Sequence, residues 1–177
     1  RLDLAELVHF ACTSEDINNL SYALTVKEAL NNVWLPRAIT LVSKLEGVAQ
    51  DLSSVPMLSR THGQPATPTT MGKEIAVFVY RLTRQLNRIS NQQYLGKFSG
   101  ATGTFAAHVA AAPDVNWPSE SKAFVEHLGL TWNPLTTQIE SHDWQAELYS
   151  AVALFNRILH NLCTDIWSYI SMGYFKQ

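Results

Sequence analysis

With 177 residues, 46% of them hydrophobic and 16% charged, the chain has the composition of one globular domain with a real core, not of a disordered segment. Its net charge of −2 offers no basic field, so neither nucleic acid nor an anionic membrane is expected as a partner. No apolar run approaches the roughly 20 residues of a membrane span, and the two cysteines, Cys12 and Cys163, form no CxxC pair.

Cysteines so placed suggest a reduced, cytoplasmic protein in which both thiols are small buried apolar groups. The N-terminus lacks the basic-then-apolar layout of a signal peptide. The sequence opens at Arg1 without a methionine and stops directly after a long helical pattern. A piece of a longer protein is therefore expected.

In chain order, a helix is expected from Thr13, with Thr13-x-x-Asp16 as a variant capping box and acidic residues in its first turn. Ile17, Leu20 and Leu24 begin an apolar face, which Trp34, Ala38, Leu41, Leu45 and Val48 continue at 4-3-4-3 spacing. Unbroken to about Gln50, this helix would measure on the order of 50 Å. Pro36 should kink or split it.

A loop over 52–67 then carries Ser59-Arg60-Thr61-His62-Gly63-Gln64-Pro65-Ala66-Thr67-Pro68. Its two prolines bar helix and push their neighbours toward extended geometry, which presents Thr61, His62 and Gln64 on a stiffened loop before a helix. That helix is expected over 68–91, with Thr67 as N-cap and a seam of Met71, Ile75, Phe78, Leu82 and Ile89 interrupted by Gln85.

An irregular, small-residue stretch follows at 96–104, then a short helix over 118–128 stopped by Gly129, then loop to Glu140. The last helix should start near Ser141, with Asp143 in its first turn. Leu148, Val152, Phe155, Leu159, Leu162, Ile166 and Tyr169 repeat along it for three heptads, as in a bundle or coiled coil. The fold class is therefore all-α, a long-helix bundle. Its seams outrun what one chain's helices can bury, so self-association is expected.

Several clusters could carry chemistry. Thr13-Ser14 reads, by itself, as a helix cap. His62 stands open between a solvated loop histidine and a functional one; histidine's ordinary pKa of about 6.5 suits general acid–base work. The glycines at 96–104 match neither GxGxxG nor a Walker loop, which argues against a nucleotide fold. Thr136–Asp143 is a polar cluster that, by itself, reads as capping and turn chemistry before it reads as a site. His9, His108, His127 and His160 lack partners at ligand spacing, so no metal is assigned.

Taken together these segments resemble a known family. His9-Phe10-Ala11-Cys12-Thr13-Ser14-Glu15-Asp16-Ile17-Asn18-Asn19 resembles the first characteristic segment of the fumarase/aspartase superfamily, and Ser59–Pro68 with Gly72-Lys73-Glu74 resembles its second. The wording of both, with Trp132-Asn133-Pro134 and Thr137-Gln138-Ile139-Glu140, is similar to the bacterial adenylosuccinate lyases, over essentially the whole chain.

The resemblance implies cofactor-free, homotetrameric lyases that eliminate fumarate from adenylosuccinate and from the succinyl-carboxamide ribotide of purine synthesis. It implies further that residues 1–177 are a central helical-bundle portion of such an enzyme, with His62 as general acid. Thr13, Ser14 and Gln138 would be substrate-binding, and Thr61 and Lys73 would support them. The family's base is a serine in a Ser-Ser-x-Met-Pro-x-Lys-x-Asn-Pro loop, which matches no stretch of these 177 residues. Family sites are also assembled from three subunits, so the isolated chain is expected to bind substrate weakly and turn it over negligibly. The alternatives are another fumarate-releasing lyase of the superfamily and a non-catalytic helical assembly module.

Overall fold

A computed structural model describes residues 2–177. After a 3₁₀ helix at Leu2–Leu7 the elements are α1 (Ser14–Ala29), a π-helical segment (Leu30–Trp34), α2 (Leu35–Asp51), β1 (Pro56–Thr61), β2 (Gln64–Thr70) and α3 (Met71–Ser90). Then come β3 (Leu95–Gly96), α4 (Ala106–Ala111), α5 (Trp117–His127), β4 (Thr131–Trp132) and α6 (Asp143–Ser171). The chain is predominantly helical, the all-α long-helix architecture its periodicity indicates. It folds as two compact units, one of residues up to Asn31 with Gln93–Ala146, the other of Asn32–Gln92 with Glu147–Gln177.

The helix expected from Thr13 to Gln50 runs helically from Ser14 to Asp51 but changes to a π-helical turn just before Pro36, which lies in the first turn of α2. Proline has no N–H to donate, and its ring clashes with the carbonyl four residues back, here that of Asn32. The π segment places a wider turn at that point, the usual way a helix absorbs such a defect.

In the second unit the buried face of α3 is the expected seam of Met71, Ile75, Phe78, Leu82 and Ile89, and Gln85 is buried with them. On α6 the buried line is Leu148, Ala151, Phe155, Ile158 and Leu162, so Val152 and Leu159 flank the seam rather than form it. Trp34 meets Phe155 edge-on, with ring centroids 5.1 Å apart. At Gly72 a Cβ would stand 2.2 Å from the Ala49 carbonyl, so α2 and α3 cross backbone to backbone there.

The stretch expected as loop over 52–67 is an antiparallel hairpin, β1–β2, and α3 starts at Met71 with Thr70 as N-cap, not at Pro68 with Thr67. Pairing runs Pro56 with Thr70 to Thr61 with Gln64, with an irregularity between Leu58 and Arg60. Prolines are admitted because each strand of a two-stranded ribbon has one open edge, and a missing N–H that faces that edge breaks no ladder bond. The hairpin base packs on a cluster of Ala49, Met57, Met71 and Ile75, which Tyr169, Tyr174 and Phe175 cover.

In the first unit Gly96 lets Leu20, Val125 and Leu130 close around the backbone; a Cβ there would lie 2.7 Å from Leu20. Two-residue strands β3 and β4 pair in parallel, and the six-residue α4 sits in the alanine-rich stretch; periodicity indicates neither. Gly129, with φ of 76°, ends α5 as expected. α6 starts at Asp143 rather than near Ser141, since His142 takes a left-handed φ of 60°.

Two expectations about burial fail. Cys163 is exposed and Cys12 only half-buried, because Cys163 follows Leu162 off the α6 seam. Ile17 is exposed, and α1 buries Asp16, Asn19, Leu20 and Ala23 instead.

Candidate functional site

The unexpected polar face of α1 organises the first unit's candidate site. Asp16 and Lys97 form an ion pair at 2.8 Å with both side chains 0% exposed. The Asp16 carboxylate also accepts the N–H groups of Thr13 at 2.9 Å, Ser99 at 3.0 Å and Gly100 at 3.1 Å. Asn19 grips the same loop from one turn further on, donating to the Lys97 carbonyl at 3.0 Å and accepting from the Lys97 N–H at 2.8 Å. Removing one partner of such a buried pair costs about 3–5 kcal/mol, whereas exchanging both for apolar groups is often neutral.

Thr13 is buried, and its Oγ1 accepts a hydrogen bond from Gln138 Nε2 at 3.0 Å. Gln138 arrives there because Glu140, 0% exposed, accepts from Asn133 Nδ2 at 2.9 Å and from the His142 N–H at 2.6 Å, folding the segment back on itself. Ser14 is exposed at the first position of α1, where unpaired backbone N–H groups and the helix dipole favour an anion. An open recess of about 560 Å³ runs along Leu135–His142. Thr13 and Gln138 are thus in direct contact, with Ser14 beside them in sequence.

The surroundings of Cys12 disfavour its thiolate. Burial pushes its thiol pKa up, the Asp16 charge adds to the rise, and Lys97 offsets only part of it.

His62, Thr61 and Lys73 belong to the second unit. His62 and Gly63 are the two central residues of the hairpin turn, with φ of 52° and 77°, the double positive φ that a type I′ turn requires. His62 is exposed, and its Nδ1 lies 2.9 Å from Thr61 Oγ1. In the imidazolium form the threonine oxygen accepts the Nδ1 proton and Nε2–H is left to deliver one. Arg60 bridges the turn by donating to the Gly63 carbonyl at 3.1 Å, and Ser59 Oγ donates to the Thr67 carbonyl.

Lys73, at the start of α3, pairs with Glu74 at 3.1 Å, and Glu74 also accepts from Thr69 Oγ1 at 2.9 Å. A cavity of about 300 Å³ lies at the hairpin base, between Leu58–Arg60 and Asp165–Tyr174. On its wall Tyr169 is held as a neutral phenol, chiefly by burial and further by Asp165, Glu74 and Tyr174.

In the sequence Asp16 has a role only as a capping residue; Asn19 and Glu140 stand inside the family-like segments with no role assigned, and Lys97 stands in the small-residue stretch 96–104. One signal was available. Asp16 and Asn19 share a helix face with Leu20 and Ala23, while apolar Ile17 lies off it, so the polar residues occupy core positions.

The family model described as Lyase matches residues 1–177. An "Adenylosuccinate lyase" of Buchnera aphidicola subsp. Acyrthosiphon pisum is 51% identical over 176 residues, covering 99% of this chain and 39% of that protein. The protein of the same name from Escherichia coli K12 is 51% identical over 174 residues, covering 98% of this chain and 38% of its own length. Among solved structures, a fumarate lyase from Mesorhizobium sp. BNC1 superposes with a TM-score of 0.77 at 28% identity, covering 92% of this chain and 37% of that one. The chain therefore spans under two-fifths of the curated relatives it matches. On a match that runs over all 177 residues, the chain belongs to the lyase family.

Proposed function

We propose that residues 1–177 are the part of an adenylosuccinate lyase that carries its general acid and part of its substrate-binding surface. The observation that carries this reading is the 51% identity with the Escherichia coli protein over 98% of the chain. The reaction is a β-elimination. A base takes a proton from the succinyl carbon next to a carboxylate, the C–N bond breaks, fumarate leaves, and an acid protonates the departing nitrogen. An amine anion is a very poor leaving group, so positioned acid catalysis contributes about 10²–10⁴-fold.

His62 is the acid in this reading. Its place at the apex of a hairpin and its Thr61 contact support delivery of a proton to a group outside its own chain segment. Thr13, Ser14 and Gln138 hold carboxylate or phosphate oxygens of the substrate, through two hydroxyls, an amide and a helix N-terminus. Lys73 supports the acid's side of the site. The base serine comes from the family's Ser-Ser-x-Met-Pro loop, which these residues do not contain. The working enzyme in this reading is a cytoplasmic homotetramer that needs no cofactor.

The test grafts residues 1–177 into the Escherichia coli protein in place of the matching segment. The graft should cleave adenylosuccinate and leave argininosuccinate untouched. His62→Gln should then lower kcat by about 10²–10⁴-fold with assembly intact. Unchanged turnover in that variant, or a folded graft that prefers argininosuccinate, would overturn the assignment. The 177-residue chain by itself should show negligible turnover.

A further inference from the structure

We propose that the buried Asp16–Lys97 pair is a positioning device that holds Thr13 and Gln138 at bonding distance and keeps the start of α1 receptive to an anion. The ligand half of this proposal rests on the substrate-binding reading of Thr13, Ser14 and Gln138 given above.

The residues form a closed circuit. Thr13 is tied to Asp16 through its N–H, and Asp16 is tied to the loop through Ser99, Gly100 and Lys97 Nζ. Lys97 Nζ in turn donates to the Gly100 carbonyl at 3.1 Å. Three residues on, Gly103 has φ of 74°, and a Cβ there would stand 2.2 Å from the Thr136 carbonyl. The loop therefore seats segment 136–137 backbone to backbone. Gln138 follows directly and returns to Thr13 Oγ1.

A second consequence is electrostatic. Glu15 and Asp16 both lie in the first turn of α1, where carboxylates repel an anion at Ser14; Glu15 is partly solvated, whereas the buried Asp16 charge would act at full strength if uncompensated. At 2.8 Å and out of solvent, Lys97 cancels that charge. For stability alone an apolar pair would serve as well. What the ion pair supplies is direction, since one carboxylate aims its lone pairs at donors from the helix and from the loop at once.

The test uses the 177-residue chain, the double variant Asp16→Asn/Lys97→Met and adenylosuccinate as the probe, followed by amide NMR. The double variant avoids stranding one buried charge, which would unfold the single variants for trivial reasons. The expected result is a folded chain with unchanged exchange in α3. The Ser99 and Gly100 amides should exchange at least tenfold faster, the Gln138 side-chain amide should lose its distinct shift, and adenylosuccinate should bind at least tenfold more weakly. Wild-type exchange and affinity in the double variant would overturn the proposal. So would a double variant that does not fold, since the pair would then be structural.

If the wild-type chain itself does not bind adenylosuccinate, the substrate-binding reading fails, and the positioning device is judged on the exchange rates and the Gln138 signal. Accelerated exchange with a shifted Gln138 signal sustains it, and wild-type values overturn it.

Discussion

At the scale of single residues, His108 is the group most out of keeping with its surroundings. It is 1% exposed, it is ringed by Phe98, Phe105 and Trp117, and neither ring nitrogen has a hydrogen-bond partner among the described residues. Burial lowers its pKa from the ordinary value; Asp16 pulls it back up, and Lys97 adds to the fall. The folded chain thus prefers the neutral imidazole. As pH falls through about 6.5 the unfolded chain takes up the proton first, so stability begins to drop there. The loss continues until the pH lies below the folded-state pKa, at no more than about 1.4 kcal/mol per pH unit from this one group. Urea midpoints measured from neutral pH downward should therefore decline, and His108→Phe should remove that part of the decline. A His108→Phe profile parallel to the wild type would show that some other group titrates.

At the scale of elements, the β1–β2 hairpin puts a histidine where the backbone favours another residue. His62 occupies a left-handed conformation at φ of 52°, beside Gly63 at 77°. Asn-Gly is the preferred type I′ pair, and a left-handed conformation costs most non-glycine residues about 1–2 kcal/mol. His62→Asn should thus stabilise the hairpin by up to about 1 kcal/mol, read as slower amide exchange across β1–β2, while lowering turnover of the grafted enzyme by about 10²–10⁴-fold. A destabilised hairpin would mean that the imidazole contributes packing as well as chemistry. The same hairpin marks what sequence could not convey. Three prolines in or beside the strands and a His-Gly turn erase the alternation that announces a ribbon, and α4 is too short to have a period. The seams of α3 and α6 were legible because heptad spacing reports burial directly, to within one helix position on α6. His62 and Thr13 stood out through their motifs. Lys97 did not, because a lysine in a glycine-rich run looks solvated until Asp16 is seen opposite it.

At the scale of the whole molecule, the apolar surface that stays uncovered bears on assembly. Tyr80 on α3 is 69% exposed and Trp167 on α6 is 73% exposed, and Val33, Ile39, Val48 and Val77 are also exposed. Isolated exposed apolar residues are ordinary, but large aromatic side chains in the open on long helices are typical of surfaces that a second copy covers. The expectation is that the 177-residue chain associates with itself, seen as a concentration-dependent mass in light scattering. Trp167→Glu places a charge on that surface without touching the α6 seam. It should lower the mass toward that of one chain while the circular dichroism of the helices stays the same. Association unaffected by Trp167→Glu would move the contact to another face. A single-chain mass at every concentration would mean that this exposed apolar surface does not drive self-association.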